Sequence, residues 1–368
     1  MKQYVSILLP DLRGGGVERV RMYLAKEFLA RGHAVEIVLM RAEGELLPLA
    51  PDGAGLVDLK APRLRGALLP LARHLRQTRP DALLAAMWPL TSLAVWARDL
   101  ARVPTRVVVS DHNDFRLAPP GNSAQGRFKM RRTMRWSYPR ADGIVAVSAG
   151  VAQSVAALAN LPPERVSVIH NPIVPPSADA LAAAASAAPA WADHDGPKLI
   201  AIGTFKQQKN HALLLTAFAR VRQQADARLL VLGEGRLRGD LEALRRRLGL
   251  DGAVDMPGFV PDPYPYLARA DLFVLSSAWE GFGNVIVEAL ACGTPVVSTD
   301  CPSGPREILA DGRHGKLVPV GDADALAQAI LAALAADHDR PGLIRRAQDF
   351  SLERAADAYL ELLLPGPA

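Results

Sequence analysis

Cysteine is almost missing from this chain of 368 residues: only Cys292 and Cys301 occur. Two thiols without a partner pair at metal-ligand spacing exclude a disulfide framework and suit a reducing compartment. Aromatic residues are scarce too, at 5%, while Ala, Leu, Arg and Pro abound. That bias is as much a matter of base composition as of function. No apolar run is long enough for a bilayer span. The most apolar stretch, Ala82 to Ala97, is broken by Pro89, Thr91 and Ser92 and reads as a strand followed by a helix. Met1-Lys2-Gln3-Tyr4 leads straight into a short apolar strand, so no signal peptide is expected and the expected location is cytoplasmic. No Asp-x-Asp pair and no cluster of histidine and cysteine suggests a bound cation, so neither a metal nor another cofactor is expected.

What remains is ordinary for a globular protein: 49% hydrophobic and 22% charged residues, in a chain long enough for two domains. Short apolar runs alternate with amphipathic helices in both halves. Tyr4 to Leu9, Val35 to Met40, Ala82 to Met87, Arg106 to Ser110 and Gly143 to Ser148 read as strands. Helices are expected at Val17 to Arg31, Leu69 to Gln77 and Ala149 to Ala159. From Val174 to Pro197 the pattern fails in a Pro- and Ala-rich stretch, which reads as a linker. It restarts at Lys198 to Ile202 and continues through Leu229 to Leu232, Val254 to Met256, Leu272 to Leu275 and Pro295 to Ser298. Strands of four to eight apolar residues separated by helices predict two doubly wound α/β domains with parallel sheets. The expected boundaries are 1–173 and 174–351, with a closing helix in 352–368 packing back on the first domain. Open sheets of this kind bind ligands outside the carboxyl ends of their strands.

The strongest motif is Trp279-Glu280-Gly281-Phe282-Gly283-Asn284, running on to Val287-Glu288-Ala289-Leu290. It follows a strand and opens a helix near Asn284, so backbone N–H groups and the positive end of the helix dipole form an anion site suited to a diphosphate. Glu288, one turn below Asn284 on the same face, can take hydrogen bonds from a ribose diol, while Glu280 on the loop can meet hydroxyls of a sugar. An acidic first turn is common in α/β proteins; here the surrounding motifs carry the weight. The strand Lys198 to Ile202 ends in Gly203-Thr204-Phe205-Lys206-Gln207-Gln208-Lys209-Asn210, where Lys209 can reach a diphosphate as a mobile point charge. Gly233-Glu234-Gly235, Gly258-Phe259-Val260 and Gly293-Thr294-Pro295 are further glycine turns at strand ends or starts. In the first half, Gly14-Gly15-Gly16 follows the first strand, and Ser110-Asp111-His112-Asn113 puts an imidazole at a strand's carboxyl end. His112 reads either as a site residue or as a satisfied structural histidine. His33, His170, His211 and His314 read as structural or peripheral.

This ordered set resembles the family 4 retaining glycosyltransferases of the GT-B fold, the group 1 family, closely over residues 198–330 and more weakly before them. The resemblance implies two Rossmann-like domains facing across a cleft and transfer of a sugar from a nucleotide-diphosphate donor, a UDP-sugar, to a glycan or lipid-linked acceptor. It implies catalytic roles for Glu280, His112 and Lys209. Glu280 would contact the donor sugar, Glu288 the ribose, and Lys209 with the Phe282, Gly283, Asn284 and Val285 backbone the diphosphate. Phe259 and Val260 would flank the base, with Gly16, Thr204 and Gly233 completing the donor site. One departure stands out: many members have arginine where this chain has Thr204, removing a charge-assisted contact that Lys206 would have to replace. A nucleotide-sugar 2-epimerase on the same architecture and a non-catalytic binding subunit are the alternatives.

Between Arg127 and Arg140 stand six basic residues and no acid, with Phe128, Met130, Met134 and Trp136 interleaved. Such a segment either lies on an anionic membrane surface or anionic acceptor, or is a solvated helix face whose aromatics pack inward. Nucleic acid is not expected as a partner.

Overall fold

The structure, a computed structural model, describes residues 3–13, 15–117, 123–175, 191 and 194–366. Gly14 of the first glycine loop and most of the expected linker lie outside the described residues. The chain divides into two compact units, Met1–Pro172 with Ser351–Ala368, and Ile173–Phe350.

In the first unit, β1 (Tyr4–Leu9), β2 (Ala34–Leu39), β3 (Gly55–Asp58), β4 (Ala82–Ala86), β5 (Arg106–Asp111), β6 (Gly143–Ala146) and β7 (Ser167–Val168) form one sheet. Its order is β3-β2-β1-β4-β5-β6-β7, and every pairing is parallel. Around it lie α1 (Gly16–Ala30), α2 (Leu64–Thr78), α3 (Leu90–Ala101), α4 (Ala124–Ser137) and α5 (Ala149–Ala159). All five residues of β4 are buried, as a central strand covered by helices on both faces requires. Serine starts two of the helices: Ser123 Oγ accepts from Gly126 N–H at 3.0 Å and Ser148 Oγ from Val151 N–H at 3.2 Å. The helix Leu352–Leu363 buries Ala356, Tyr359 and Leu363 in the same core as Ile7, Phe28 and Leu84. The Ile, Leu and Phe side chains among these each contribute roughly 2 kcal/mol on burial. Arg31 fastens this helix through Asp357 and the Glu353 carbonyl.

The second unit repeats the plan with β8 (Lys198–Ile202), β9 (Arg228–Leu232), β10 (Val254–Gly258), β11 (Leu272–Leu275), β12 (Val296–Thr299) and β13 (Lys316–Val318). Its sheet is again all parallel, in the order β10-β9-β8-β11-β12-β13. Phe205, Leu214, Phe218, Leu229, Val274 and Ile330 belong to its core. Strand order reverses between β1 and β4 in one sheet and between β8 and β11 in the other. At such reversals the connections leave in opposite directions and open a crevice at the carboxyl edge. No helix among the described residues is long and apolar enough to cross a membrane.

Candidate active site

At the reversal in the second sheet the loops after β8 and β11 are laced together. Ala278 N–H donates to Gln208 O at 2.8 Å, Gln208 Nε2 to Trp279 O at 3.0 Å, and Ser276 Oγ to Lys209 O at 2.9 Å. The lacing ends in an ion pair, Lys209 Nζ to Glu280 Oε1 at 2.7 Å, with Ser277 Oγ donating to the same oxygen at 2.6 Å. Glu280 is 5% exposed, so this carboxylate is held almost out of water. A third loop, after β12, supports it from behind: Pro302 O accepts from Glu280 N–H at 3.3 Å. Gly304 has φ +103°, and a Cβ there would fall 1.7 Å from Phe282 O, so only glycine lets the two loops touch.

The segment after Glu280 turns into the helix Asn284–Ala291, with Gly283 as N-cap at φ +102°. Glycine supplies no capping side chain, and the helix begins with Ile286 N–H bonded to Gly283 O at 2.9 Å. Asn284, Val285 and Glu288 therefore all belong to one short helix whose positive dipole end lies beside Glu280. The ring of Phe282 is buried against Phe350, with centroids 5.6 Å apart, so its share in the site is through its main chain. Gly233, at the end of β9, approaches so closely that a Cβ would fall 2.1 Å from Gly203 O. Phe259 follows β10 with its ring 65% exposed, and Val260 is half-buried beside it. Thr204 is exposed. Lys206, two residues on, lies in the field of the pair. Desolvation first and repulsion from Lys209 second lower its proton affinity, while Glu280 acts the other way.

His211, one of the histidines that read as structural or peripheral, lies directly under this site in a structural role. Its Nε2 is 3.1 Å from the Gly203 carbonyl oxygen and its ring meets Phe205 edge-on at 5.3 Å. Burial pushes its pKa down to about 4, with Lys209 adding to the effect against the Gly203 hydrogen bond and Glu280. It is a neutral donor that fixes the Gly203 turn. The Asp-x-Asp spacings at 322–324 and 337–339 belong to helix starts. Asp322 caps Ala325 N–H and Asp339 caps Gly342 N–H, each at 2.9 Å. Among the described residues no group of three or more His, Cys, Asp or Glu side chains could hold a metal ion.

Gly16 and His112 belong to the first unit. Gly16 opens α1 after β1, and the Glu18 carboxylate folds back over Gly15. His112 follows β5 and is buried. Its Nε2 lies 3.0 Å from Arg21 Nη2 and 3.2 Å from Ser110 Oγ. Arg21 is wholly buried, stacks on Tyr359 with 4.9 Å to the ring centroid, and bonds Ser110 and the Tyr359 hydroxyl. A guanidinium only donates, so His112 Nε2 accepts and the ring proton sits on Nδ1. Burial, and then the Arg21 charge, hold the imidazole well below its ordinary pKa, with a hydrogen bond to Asn171 opposing them. Sequence reading missed Arg21. The signal was its place on the apolar stripe Val17, Arg21, Leu24, Phe28, where a charge has no solvent.

In α4 the aromatics do not pack inward. Phe128 is 65% and Trp136 61% exposed, while Met130 and Met134 form the buried face.

A model described as Glycosyl transferases group 1 matches residues 196–336, and one described as Glycosyltransferase Family 4 matches residues 14–175. The lipopolysaccharide core biosynthesis glycosyltransferase LpsE of Rhizobium meliloti is 32% identical over 372 residues, covering 96% of this chain and 97% of its own. The N-acetylgalactosamine-N,N'-diacetylbacillosaminyl-diphospho-undecaprenol 4-alpha-N-acetylgalactosaminyltransferase of Campylobacter jejuni is 34% identical over 211 residues, 57% of this chain and 56% of its own. The crystal structure of Anabaena HepE in complex with UDP has the same fold, with a TM-score of 0.79 at 21% identity, over 98% of this chain and 99% of that one. Two parallel sheets of this order, in a chain with these relatives, define a glycosyltransferase of the GT-B fold that draws on a nucleotide-sugar donor. The chain belongs to family 4 of the glycosyltransferases, the group 1 family.

Proposed function

We propose that the enzyme moves a sugar from a UDP-sugar to a glycan or lipid-linked acceptor, with retention of anomeric configuration and without a metal ion, at the inner face of the cytoplasmic membrane. The observation that carries this reading is the Lys209–Glu280 pair at the β8/β11 reversal, beside a helix start whose N-cap is Gly283. Lys209, Lys206 and the Gly283 to Val285 amides meet the negative charge that develops on the departing diphosphate. Glu280, fixed by Lys209 and Ser277, positions the sugar through its hydroxyls, and Glu288 takes the ribose. Phe259 and Val260 flank the base. Support for uridine is the UDP in the HepE structure. Support for a lipid-linked or surface-glycan acceptor is the wording of the two relatives' names, lipopolysaccharide core in one and diphospho-undecaprenol in the other.

In this reading the acceptor hydroxyl attacks the anomeric carbon on the face from which the diphosphate leaves. The carbon–oxygen bond to the diphosphate breaks through an oxocarbenium-like transition state, the new glycosidic bond forms, and the departing phosphate oxygen takes the hydroxyl proton. His112, neutral and buried, serves as a hydrogen-bonding group and not as the base. Exposed Thr204 in the place of a cation favours a second reading, a subunit that binds the donor without consuming it. Donor turnover with chelator present separates the two, and a 2-epimerase would convert donor with no acceptor. Calorimetry with a panel of UDP- and GDP-sugars tests the assignment of roles. Glu288→Ala weakens every donor that shares the ribose, whereas Glu280→Ala mainly lowers turnover; the opposite pattern would reverse the two glutamates.

A further inference from the structure

Where strand order reverses in the first sheet, the turn after β4 carries a tryptophan to which the donor chemistry gives no task. Strand β4 lies between β1 and β5, with Leu8 paired to Ala85 and Ala86 to Ser110. Trp88 comes two residues past Ala86 and His112 two past Ser110, so the register sets them level at the carboxyl edge. On the β1 side of the same reversal Gly16 opens α1. Ligands bind at such reversals, so Trp88 borders the crevice of the first unit.

The turn is held by its polar groups. Met87, a non-glycine residue, sits at φ +65°, and its N–H donates to Ser110 O at 2.9 Å. Trp88 N–H donates to Asp111 Oδ1 at 3.3 Å, and its indole Nε1–H to Thr133 Oγ1 at 2.9 Å. Asp111 is wholly buried, and its other oxygen accepts from the Tyr138 hydroxyl at 2.6 Å. That proton being committed, Thr91 Oγ1 donates to the Tyr138 oxygen at 2.9 Å. Burial pushes the Asp111 carboxyl up to about 6, against the Tyr138 and Trp88 hydrogen bonds. A left-handed turn at a long side chain and a carboxyl taken out of water both cost stability, and such strain gathers where a site must be aimed. Trp88 nevertheless ends only half-buried. Its single indole N–H is already bonded, so what the ring has left to present is a flat apolar face, negative in its π density.

Such a face is complementary to a pyranose. The C–H groups on one side of a sugar ring make an apolar patch of similar size, slightly positive at the hydrogens, while the hydroxyls project around the rim. A phosphate finds no donor on an indole face, and an acyl chain does not require a ring held in one orientation. We propose that Trp88 is the platform on which the acceptor sugar stacks, held in place by its Asp111 and Thr133 hydrogen bonds, and is thereby a residue that determines acceptor specificity. The proposal rests on the reading that the acceptor is a glycan.

Saturation-transfer NMR of the full chain with methyl α- and β-pyranosides of glucose, galactose, mannose, N-acetylglucosamine and N-acetylgalactosamine tests it. At least one glycoside binds, with saturation strongest on the C–H groups of one ring side, and UDP does not displace it. Trp88→Ala weakens that binding about tenfold, the size of one aromatic contact, whereas Trp88→Phe keeps a flat face and stays within about threefold. Binding of none of the glycosides, or equal binding by the parent and Trp88→Ala, would overturn the proposal. So would equal losses in Trp88→Ala and Trp88→Phe, since that marks the indole N–H and not the ring face as what matters. Calorimetry with UDP on the same three proteins keeps the two readings apart. Unchanged UDP affinity beside weakened glycoside binding supports the platform, and UDP affinity lost in Trp88→Ala would assign the ring to the donor and overturn it. A parent that binds a glycoside but not UDP would end the donor reading and leave the platform standing.

Discussion

Removing the Lys209 ammonium should strand the Glu280 carboxylate, and the structure sets the size of the effect. Glu280 is 5% exposed and has two partners on one oxygen, Lys209 Nζ at 2.7 Å and Ser277 Oγ at 2.6 Å. Breaking a buried pair by deleting one member costs about 3–5 kcal/mol, because the surviving charge stays buried without compensation. Ser277 keeps part of the hydrogen bonding, so Lys209→Met falls at the low end, about 3 kcal/mol. Glu280→Gln is milder, about 1–2 kcal/mol, since the Lys209 side chain is 15% exposed and its head can turn to water. The double variant holds neither charge and costs less than the sum, with a coupling of about 1.5–3 kcal/mol. Urea unfolding of the four proteins measures the cycle. Calorimetry with UDP measures the second consequence: losing a charge-assisted contact to phosphate weakens binding by roughly 10- to 150-fold. Additive stabilities, or a Lys209→Met protein that binds UDP like the parent, would refute the reasoning.

His211 makes the same unit sensitive to acid. Its folded pKa is about 4 against an ordinary 6.5, so the unfolded chain takes the proton first; stability is flat above pH 6.5 and falls as pH drops to about 4. The span is worth about 3 kcal/mol, and His211→Gln should remove that step from the stability–pH curve; an unchanged step would contradict the assignment. In the first unit, nitrogen NMR of labelled histidine should show His112 neutral with its proton on Nδ1 throughout the range where an ordinary imidazole titrates, and Arg21→Met should raise its pKa. A His112 that titrates like an ordinary imidazole in the parent would sink the Arg21 account.

Much of this was legible in the sequence because a buried parallel strand announces itself. β4 and β11 are unbroken apolar runs, while β1 and β8 are interrupted only by Ser6 and by the opening Lys198. β3 was not legible: it is a sheet-edge strand of four residues with Leu56 exposed, so burial leaves no mark on it. β7 has two residues, too few for any period. Pro70 hid the first turn of α2, since proline predicts a break where the helix in fact runs from Leu64. Lys209 and Glu280 were each identifiable, but their pairing was not. They are 71 residues apart, and only the adjacency of β8 and β11 brings them together. Arg21 escaped for a related reason, because the partner that gives it meaning, His112, comes from another strand end 91 residues away. The Phe128 and Trp136 rings were ambiguous, since helical spacing alone does not say which stripe of α4 faces inward.

The cradle for the diphosphate is tested most directly by a crystal structure of the enzyme with UDP bound. The account predicts phosphate oxygens within hydrogen-bonding reach of Lys209 Nζ and of the amides at Gly283 to Val285, with the ribose on Glu288. A nucleotide seated elsewhere in the second unit, or phosphates held by a metal ion with Lys209 still closed on Glu280, would contradict it.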